Sequence, residues 1–383
     1  MSLQQKLATL RSQSGHPPTP FPAATESVSR AERDEAVAHL LQGACLADGL
    51  IVIDRHMPVS DRHGKHVLSA NPWMHPPGIG QPFHAKHAVF MDTETTGLAG
   101  GTGTLVFLLG MACIEDETLH LRQLFLTQFG GEPALLQAAS DWIGTRNHLV
   151  TFNGKSFDAP LMATRYRLAR LPDPFATMHH VDLFHPTRRA FANHWPDCRL
   201  QTAEKRLLGV ARVDDLPSYD IPDVWFAFMR HGSTDRLAAI LTHNRFDLLS
   251  LVTLLPSLAE AFSNPGTSGA DVVSIARYYR QQGDEDAAFT HLQRHHKRLS
   301  EQGLLDLAWM YRRRQNWELA VSIWEHLAQR QCVEAIERLA KYHEHVRRDY
   351  QAALELTNQL KTLDREQSAH WQREWRLRAK LSR

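Results

Sequence analysis

The residues of this chain whose types and spacing could do chemistry are four carboxylates in three short stretches. In "VFMDTETTG" an apolar run leads straight into Asp92 and Glu94, two positions apart. Side chains of a β-strand alternate between faces, so both acids would project from one side of a strand end. In "TFNGKSFDAPLM" Asp158 opens a helix that follows an apolar strand, and in "THNRFDLLSLV" Asp247 lies within a helix that has an apolar face. Singly, Asp158 could serve as a helix cap and Asp247 as a solvated helix residue. As a set they concentrate negative charge in one region. Lys86 to Phe262 holds 16 Lys and Arg against 19 Asp and Glu, net −3, whereas Asn264 to Arg383 holds 20 against 16, net +4. The middle region would repel a polyanion unless cations are bound among its acids.

The elements that must position these acids alternate between strands and helices from Ala85 to about Ala261, the pattern of an α/β domain. "HAVFMDTETT", "TLVFLLGMACIE" and "TLHLRQLFLT" read as three strands. "PALLQAASDWIG" reads as an amphipathic helix, "HLVTFNG" as a strand, "SFDAPLMATRYRLARL" as its following helix, and "RLAAILTHNRFDLLSLVTLLPSLAEAF" as a last helix. Together they predict a mixed sheet covered by helices on both faces. The glycine-rich "GLAGGTG" lacks the GK[ST] ending of a phosphate loop and runs into a strand rather than a helix, so it reads as a connection.

On either side the composition changes. Residues 1–84 read as a short helix, a Pro-rich linker "GHPPTPFPAATES" and a small accessory segment with a helix (Ala31–Leu41), a strand "GLIVID" and loop-like sequence after it. Residues 263–271, "SNPGTSGAD", read as a second linker. From 272 to 383 the chain is helical and repeats: Ala276, Ala308 and Ala340 are 32 apart, as are Tyr278, Met310 and Tyr342. Three helical hairpins of this period resemble the tetratricopeptide class and would need neighbours to bury their faces. The tail "REQSAHWQREWRLRAKLSR" reads as a capping helix for them. The chain has 383 residues, 43% hydrophobic and 22% charged, and its longest apolar run, Leu105–Cys113, is about half a bilayer span. No membrane association is expected. Four dispersed cysteines fit reduced thiols, and the 23 histidines show no metal-ligand spacing, so a cytoplasmic location is expected.

"DTETTG", "FNGKSFD" and "HNRFD", in that order, resemble the three motifs of the DEDD superfamily of 3′→5′ exonucleases, which have an RNase H-like fold. The closer likeness is to the YprB-type RNase H-like family, carried by "DTETTGLAGGTGTLVFLLG", "VDLFHPTRR" and "CRLQTAEKRLLGVARVDDLPSYDIP" before "HNRFD". It covers about Ala85 to Leu258. The resemblance implies a hydrolase of single-stranded or short DNA or RNA, with Asp92, Glu94, Asp158 and Asp247 holding two Mg²⁺ or Mn²⁺ ions. Two divalent ions would bring the region from −3 to about +1, attractive to phosphate.

The general base departs from the superfamily's patterns, which place a Tyr four residues or a His five residues before the last Asp. Here His243 stands four before Asp247, on the same helix face about 40° away, where it could orient or deprotonate water. Asn153 and Asn244 are candidates for shaping the site or contacting substrate, Thr95, Lys155 and Phe157 for contacting substrate, and Asp182 for a structural or supporting role. Further phosphate contacts could come from Arg188, Arg189, Lys205 and Arg206, and base stacking from Phe157 or Trp195. A binding scaffold that presents the helical repeats to a protein partner, and a structure-specific endonuclease on the same fold, are the competing readings.

Overall fold

A computed structural model describes residues 29–382 except 70, 72, 77–80, 98–102 and 365–367. The expected first helix and Pro-rich linker, and the middle of the glycine-rich turn, lie outside the described residues. The chain builds a seven-stranded mixed sheet flanked by helices, then an all-helical region.

Helix α1 (Arg30–Leu40) starts at a capping box in which Ser29 and Glu32 bond to each other's backbone N–H. The strands of the main sheet are β1 (Ala44–Ala47), β2 (Leu50–Pro58), β3 (Ala88–Thr95), β4 (Val106–Glu115), β5 (Thr118–Leu126), β6 (His148–Thr151) and β7 (His179–Asp182). Their spatial order is β1-β2-β5-β4-β3-β6-β7, with β3, β6 and β7 parallel and the other pairings antiparallel. The accessory segment is therefore part of the sheet. β2 pairs with β5 along its full length, from Leu50 opposite Leu126 to Pro58 opposite Thr118. Its alternation of buried Ile51 and Ile53 with exposed Asp54 is the mark of an edge-side strand. The stretch read as loop beyond it holds two small hairpins, Arg62–His63 with His66–Val67 and Trp73–Met74 with Phe83–His84.

The helices over the sheet are α2 (Glu132–Ile143), α3 (Asp158–Ala169), α4 (Phe184–Phe191), α5 (Ile221–His231) and α6 (Leu237–Ser263). Strand alternation sorts the core into two layers. Val89 and Met91 pack with Leu135 of α2, Met162 of α3 and Trp225 of α5. Ala88, Phe90 and Val150 pack with Leu248, Leu251 and Leu255 of α6. Helix α6 is long and apolar enough to cross a bilayer by composition, yet its apolar residues are consumed by this core.

The expected second linker is structured. Pro265 is buried at the start of α7 (Pro265–Ser268). Asp271 caps α8 (Val272–Gln281), donates its N–H to Ala190 O at 2.7 Å and accepts from Asn193 Nδ2 at 2.6 Å. Arg189 stacks 3.7 Å over the Tyr278 ring. The following helices are α9 (Glu285–Arg294), α10 (Glu301–Arg313), α11 (Trp317–Gln329), α12 (Val333–Tyr342), α13 (Tyr350–Leu363) and α14 (Ser368–Leu381). Ala276, Ala308 and Ala340, the residues of the 32-residue spacing, are all buried where helices approach.

Candidate active site

Strand β3 carries Asp92 and Glu94 to the carboxyl end of the parallel strands, beside a break in the β3–β4 register between Glu94 and Thr95. Such an irregularity ends pairing and frees a strand end to present side chains. By alternation Asp92 and Glu94 share the face of Ala88 and Phe90, the face covered by α6, which brings Asp247 to them. Thr93 points to the other face, and its hydroxyl donates to Asp158 Oδ1 at the first turn of α3. The two helices thus deliver their acids to the same strand end from opposite faces of the sheet.

Each acid feels the others. Burial, then Asp247, Glu94 and Asp158, push the Asp92 carboxyl well above its ordinary value, with the Asn244 hydrogen bond opposing. Glu94 is raised by burial and by Asp247 and Asp158. Burial pushes Asp158 up to about 6 against the Thr93 hydrogen bond, and burial raises Asp247 although Arg212 and His243 oppose it. Among the described residues no Lys or Arg lies within ion-pair distance of Asp92, Glu94 or Asp158. Four crowded carboxylates with too little positive charge form the donor set that hard divalent cations take. Ligand atoms of Glu94, His243 and Asp247 lie within 4.8 Å of one another, as one cation would need.

The predicted base is in place but buried, at 4% exposure. His243 Nδ1 is 2.9 Å from Asp215 Oδ1, while Nε2 is 3.5 Å from Asp247 Oδ2 and 3.4 Å from Ser218 Oγ. An ionised carboxylate only accepts, so Asp215 favours a proton on Nδ1, while Nε2 faces Asp247 and Ser218.

Sequence reasoning missed Arg212, among the described residues the one arginine or lysine paired with the cluster. Its guanidinium pairs with Asp247, with Glu204 at 2.5 and 2.9 Å and with Asp215 at 3.1 Å. Burial works against its charge, but Asp247 and Glu204 raise it further above its ordinary range. Behind it Glu204, 1% exposed, accepts from Ser250 Oγ, which contacts His63 Nε2 at 2.8 Å. The π-helical turn Glu204–Leu208 carries that acid inward. The only signal was an acid in "AEKRLLGVARVDD" at a position otherwise apolar in pattern.

Of the two roles expected for Asn244, the geometry fits shaping the site: it is fully buried, donating to Asp92 Oδ2 at 2.8 Å and accepting from Gln123 Nε2 at 2.8 Å. It aims Asp92. Gly110, opposite Asp92 on β4, makes room, since a Cβ there would stand 2.1 Å from Asn244 Oδ1. Thr95 Oγ1 donates to Gly97 O at 3.0 Å and belongs to the turn. Asn153, in the left-handed region at φ 66°, gives its N–H to Asp182 Oδ1, and Lys155 N–H binds Asp182 Oδ2. Asp182 thus holds the loop before Asp158, leaving the Lys155 and Phe157 side chains exposed, Phe157 at 55%. Trp195 is stacked on Phe191 at 4.1 Å, so one face is closed to a base. Arg189 is spent on Tyr278, whereas Arg188, Lys205 and Arg206 are exposed.

Residues 89–259 match the family model of the RNase H superfamily. A Bacillus subtilis (strain 168) protein, the uncharacterized protein YprB, is 32% identical over 327 residues, 79% of this chain and 78% of that protein. A family B DNA polymerase from the hyperthermophilic archaeon Pyrobaculum calidifontis is 13% identical, with a TM-score of 0.38 over 82% of this chain. The match spans 39% of that polymerase.

Proposed function

The chain belongs to the YprB-type family of RNase H-like proteins, and from that premise we propose that it is a divalent-metal-dependent 3′→5′ exonuclease releasing nucleoside 5′-monophosphates from single-stranded DNA or RNA. The observation that carries this reading is the convergence of Asp92, Glu94, Asp158 and Asp247 on one strand end with a single arginine to balance them. Two Mg²⁺ or Mn²⁺ ions held by these carboxylates would supply Lewis acidity toward a phosphodiester and lower the pKa of a water.

The chain's own residues do the rest. Asn244 and Thr93 hold Asp92 and Asp158 in fixed rotamers, which lowers the cost of assembling the site. Asp215 keeps the His243 proton on Nδ1, so Nε2 can accept a proton from the attacking water. Exposed Phe157, beside the acids, offers a stacking face for the 3′-terminal base, and Lys155 a charge for its phosphate. The helical hairpins would recruit a protein partner or guide the strand.

The test uses 5′-labelled single-stranded DNA and RNA of one sequence with Mn²⁺ or Mg²⁺, beside Asp92→Asn. A ladder shortening from the 3′ end, lost in the variant and with EDTA, is the expected result. Cleavage of a circular strand would replace exonuclease by endonuclease. No cleavage of any strand, with Mn²⁺ shown to bind, would leave a scaffold.

A further inference from the structure

On the side of α6 away from the acids, two arginines face a small pocket without a counter-charge. The pocket, of about 200 Å³, is lined by Leu40, Leu41, Gln42, Arg55, Gln123, Ala238, Leu241, Thr242 and Arg245. Arg245 lies two residues before Asp247, about 200° round the helix, so it points away from the cluster that Asp247 joins. It has no hydrogen-bond or ion-pair partner among the described residues. Among the described residues Arg55 reaches only Gln42 Oε1, at 3.4 Å, and its buried Nε has no partner. The nearest acid along β2, Asp54, projects from the other face and is held by Arg122 Nε and Nη2 at 2.7 and 2.6 Å. Two half-buried guanidiniums in one pocket repel each other and have lost part of their hydration, a cost an anion would offset. Consistent with this, burial and then Arg55 pull the Arg245 guanidinium below its ordinary range.

We propose that Arg55 and Arg245, with the amide of Gln42, form a binding pocket for a phosphate dianion, separate from the acid site. Paired guanidiniums match phosphate oxygens in both charge and fork geometry. The volume admits one tetrahedral oxyanion, leaving the sugar and base of a mononucleotide outside. The pocket also touches the active-site scaffold. Gln123 forms part of its wall, and the same amide donates to Leu241 O at 2.8 Å and to Asn244 Oδ1 at 2.8 Å, Asn244 being the residue that aims Asp92.

The experiment titrates inorganic phosphate and a nucleoside 5′-monophosphate into the full chain at low ionic strength, by calorimetry and thermal melting. EDTA is present, so the acid site, bare of metal, repels phosphate and no turnover intervenes. One site per chain and a rise in Tm are expected, with binding weakened at least about tenfold in Arg55→Gln/Arg245→Gln. Without phosphate the double variant should melt at or above the wild-type temperature, because a like-charge pair has been removed. Binding of inorganic phosphate alone would identify the free ion as the ligand, and equal binding of both would identify any terminal phosphate. No binding of either to the wild type, or equal binding to the double variant, would overturn the pocket.

Discussion

Two carboxylate sites of this molecule, one in the helical region and one at the strand end, are balanced in opposite ways. In the helical region Glu344 has a side chain closed to solvent and receives Arg376 Nε at 2.8 Å, Arg376 Nη2 at 3.0 Å and Lys380 Nζ at 3.0 Å, with Arg373 nearby. Burial opposes its charge, but the bonds from Arg376 and Lys380 win and hold the carboxyl at about 2. At the strand end, Arg212 pairs with only one of the four acids, Asp247, and burial prevails, so their carboxyls are all raised. Over-compensated charge ties α14 to the rest of the helical region. Under-compensated charge stores an affinity for added cations, at a cost to the metal-free fold. The difference separates an acid whose charge is satisfied within the fold from acids whose charge is not.

Substitutions can break this contrast. The largest expected effect is on turnover: Asp92→Asn should lower kcat at least about 10³-fold, roughly 4 kcal/mol of barrier, while leaving the EDTA-treated protein as stable as wild type or more so. Steady-state kinetics and melting curves together check it, and a loss of both activity and stability would remove the distinction. Glu344→Gln should do the reverse. Leaving three cations without their acid is expected to cost about 3–5 kcal/mol in chemical denaturation while kcat stays unchanged.

A pH series sharpens the same contrast. Asp158 has a folded pKa of about 6 against an ordinary value of 3.8, so the folded state binds more protons than the unfolded state between them. The stability linked to Asp158 is complete below about pH 4 and is lost as pH rises through 6. His63, pulled down from 6.5 to about 4 by burial, has the opposite slope in the same window, so the comparison must be a difference. In EDTA the melting temperature of Asp158→Asn minus that of wild type should grow by a few degrees from pH 4 to 7, and Mn²⁺ should erase the gain by stabilising only the wild type.

Two smaller effects follow. Asn244→Ala frees Asp92 from its hydrogen bond and should reduce kcat about tenfold, with Mn²⁺ binding weakened by calorimetry. Phe157→Ala should raise KM for single strands by about 1–2 kcal/mol of stacking and leave kcat alone. A fall in kcat instead would mean that Phe157 shapes the site rather than holding the base.

Much of this arrangement was legible in the chain. "DTET" placed two acids on one face because a strand alternates, and "FDAPLM" put Asp158 at a helix start because a strand and a turn precede it. The spacing of His243 and Asp247 put them on one helix face. Where the reading failed, the missing information was a partner distant in sequence. "GLIVID" read as part of an accessory segment because its pairing partner, Thr118–Leu126, lies more than 60 residues on. Asn244, beside two candidate site residues, read equally as a substrate contact or as a residue shaping the site, and only its burial against Gly110 and Gln123 favours the second. Glu204 gave only the faint sign of an acid at an otherwise apolar position, and Arg212 gave none, because nothing local marks a surface-type pair destined for the interior.

Local chemistry in the sequence therefore determined which residues could act: the four acids, the histidine one turn before the last of them, and the alternation and helical periods that carry them. Tertiary structure alone decided how their charge is balanced. The bond from Asn244 to Asp92 spans 152 positions, and the pairing of Arg212 with Asp247 spans 35. Electrostatic energy depends on distance and burial, and neither exists until the sheet has brought those segments together.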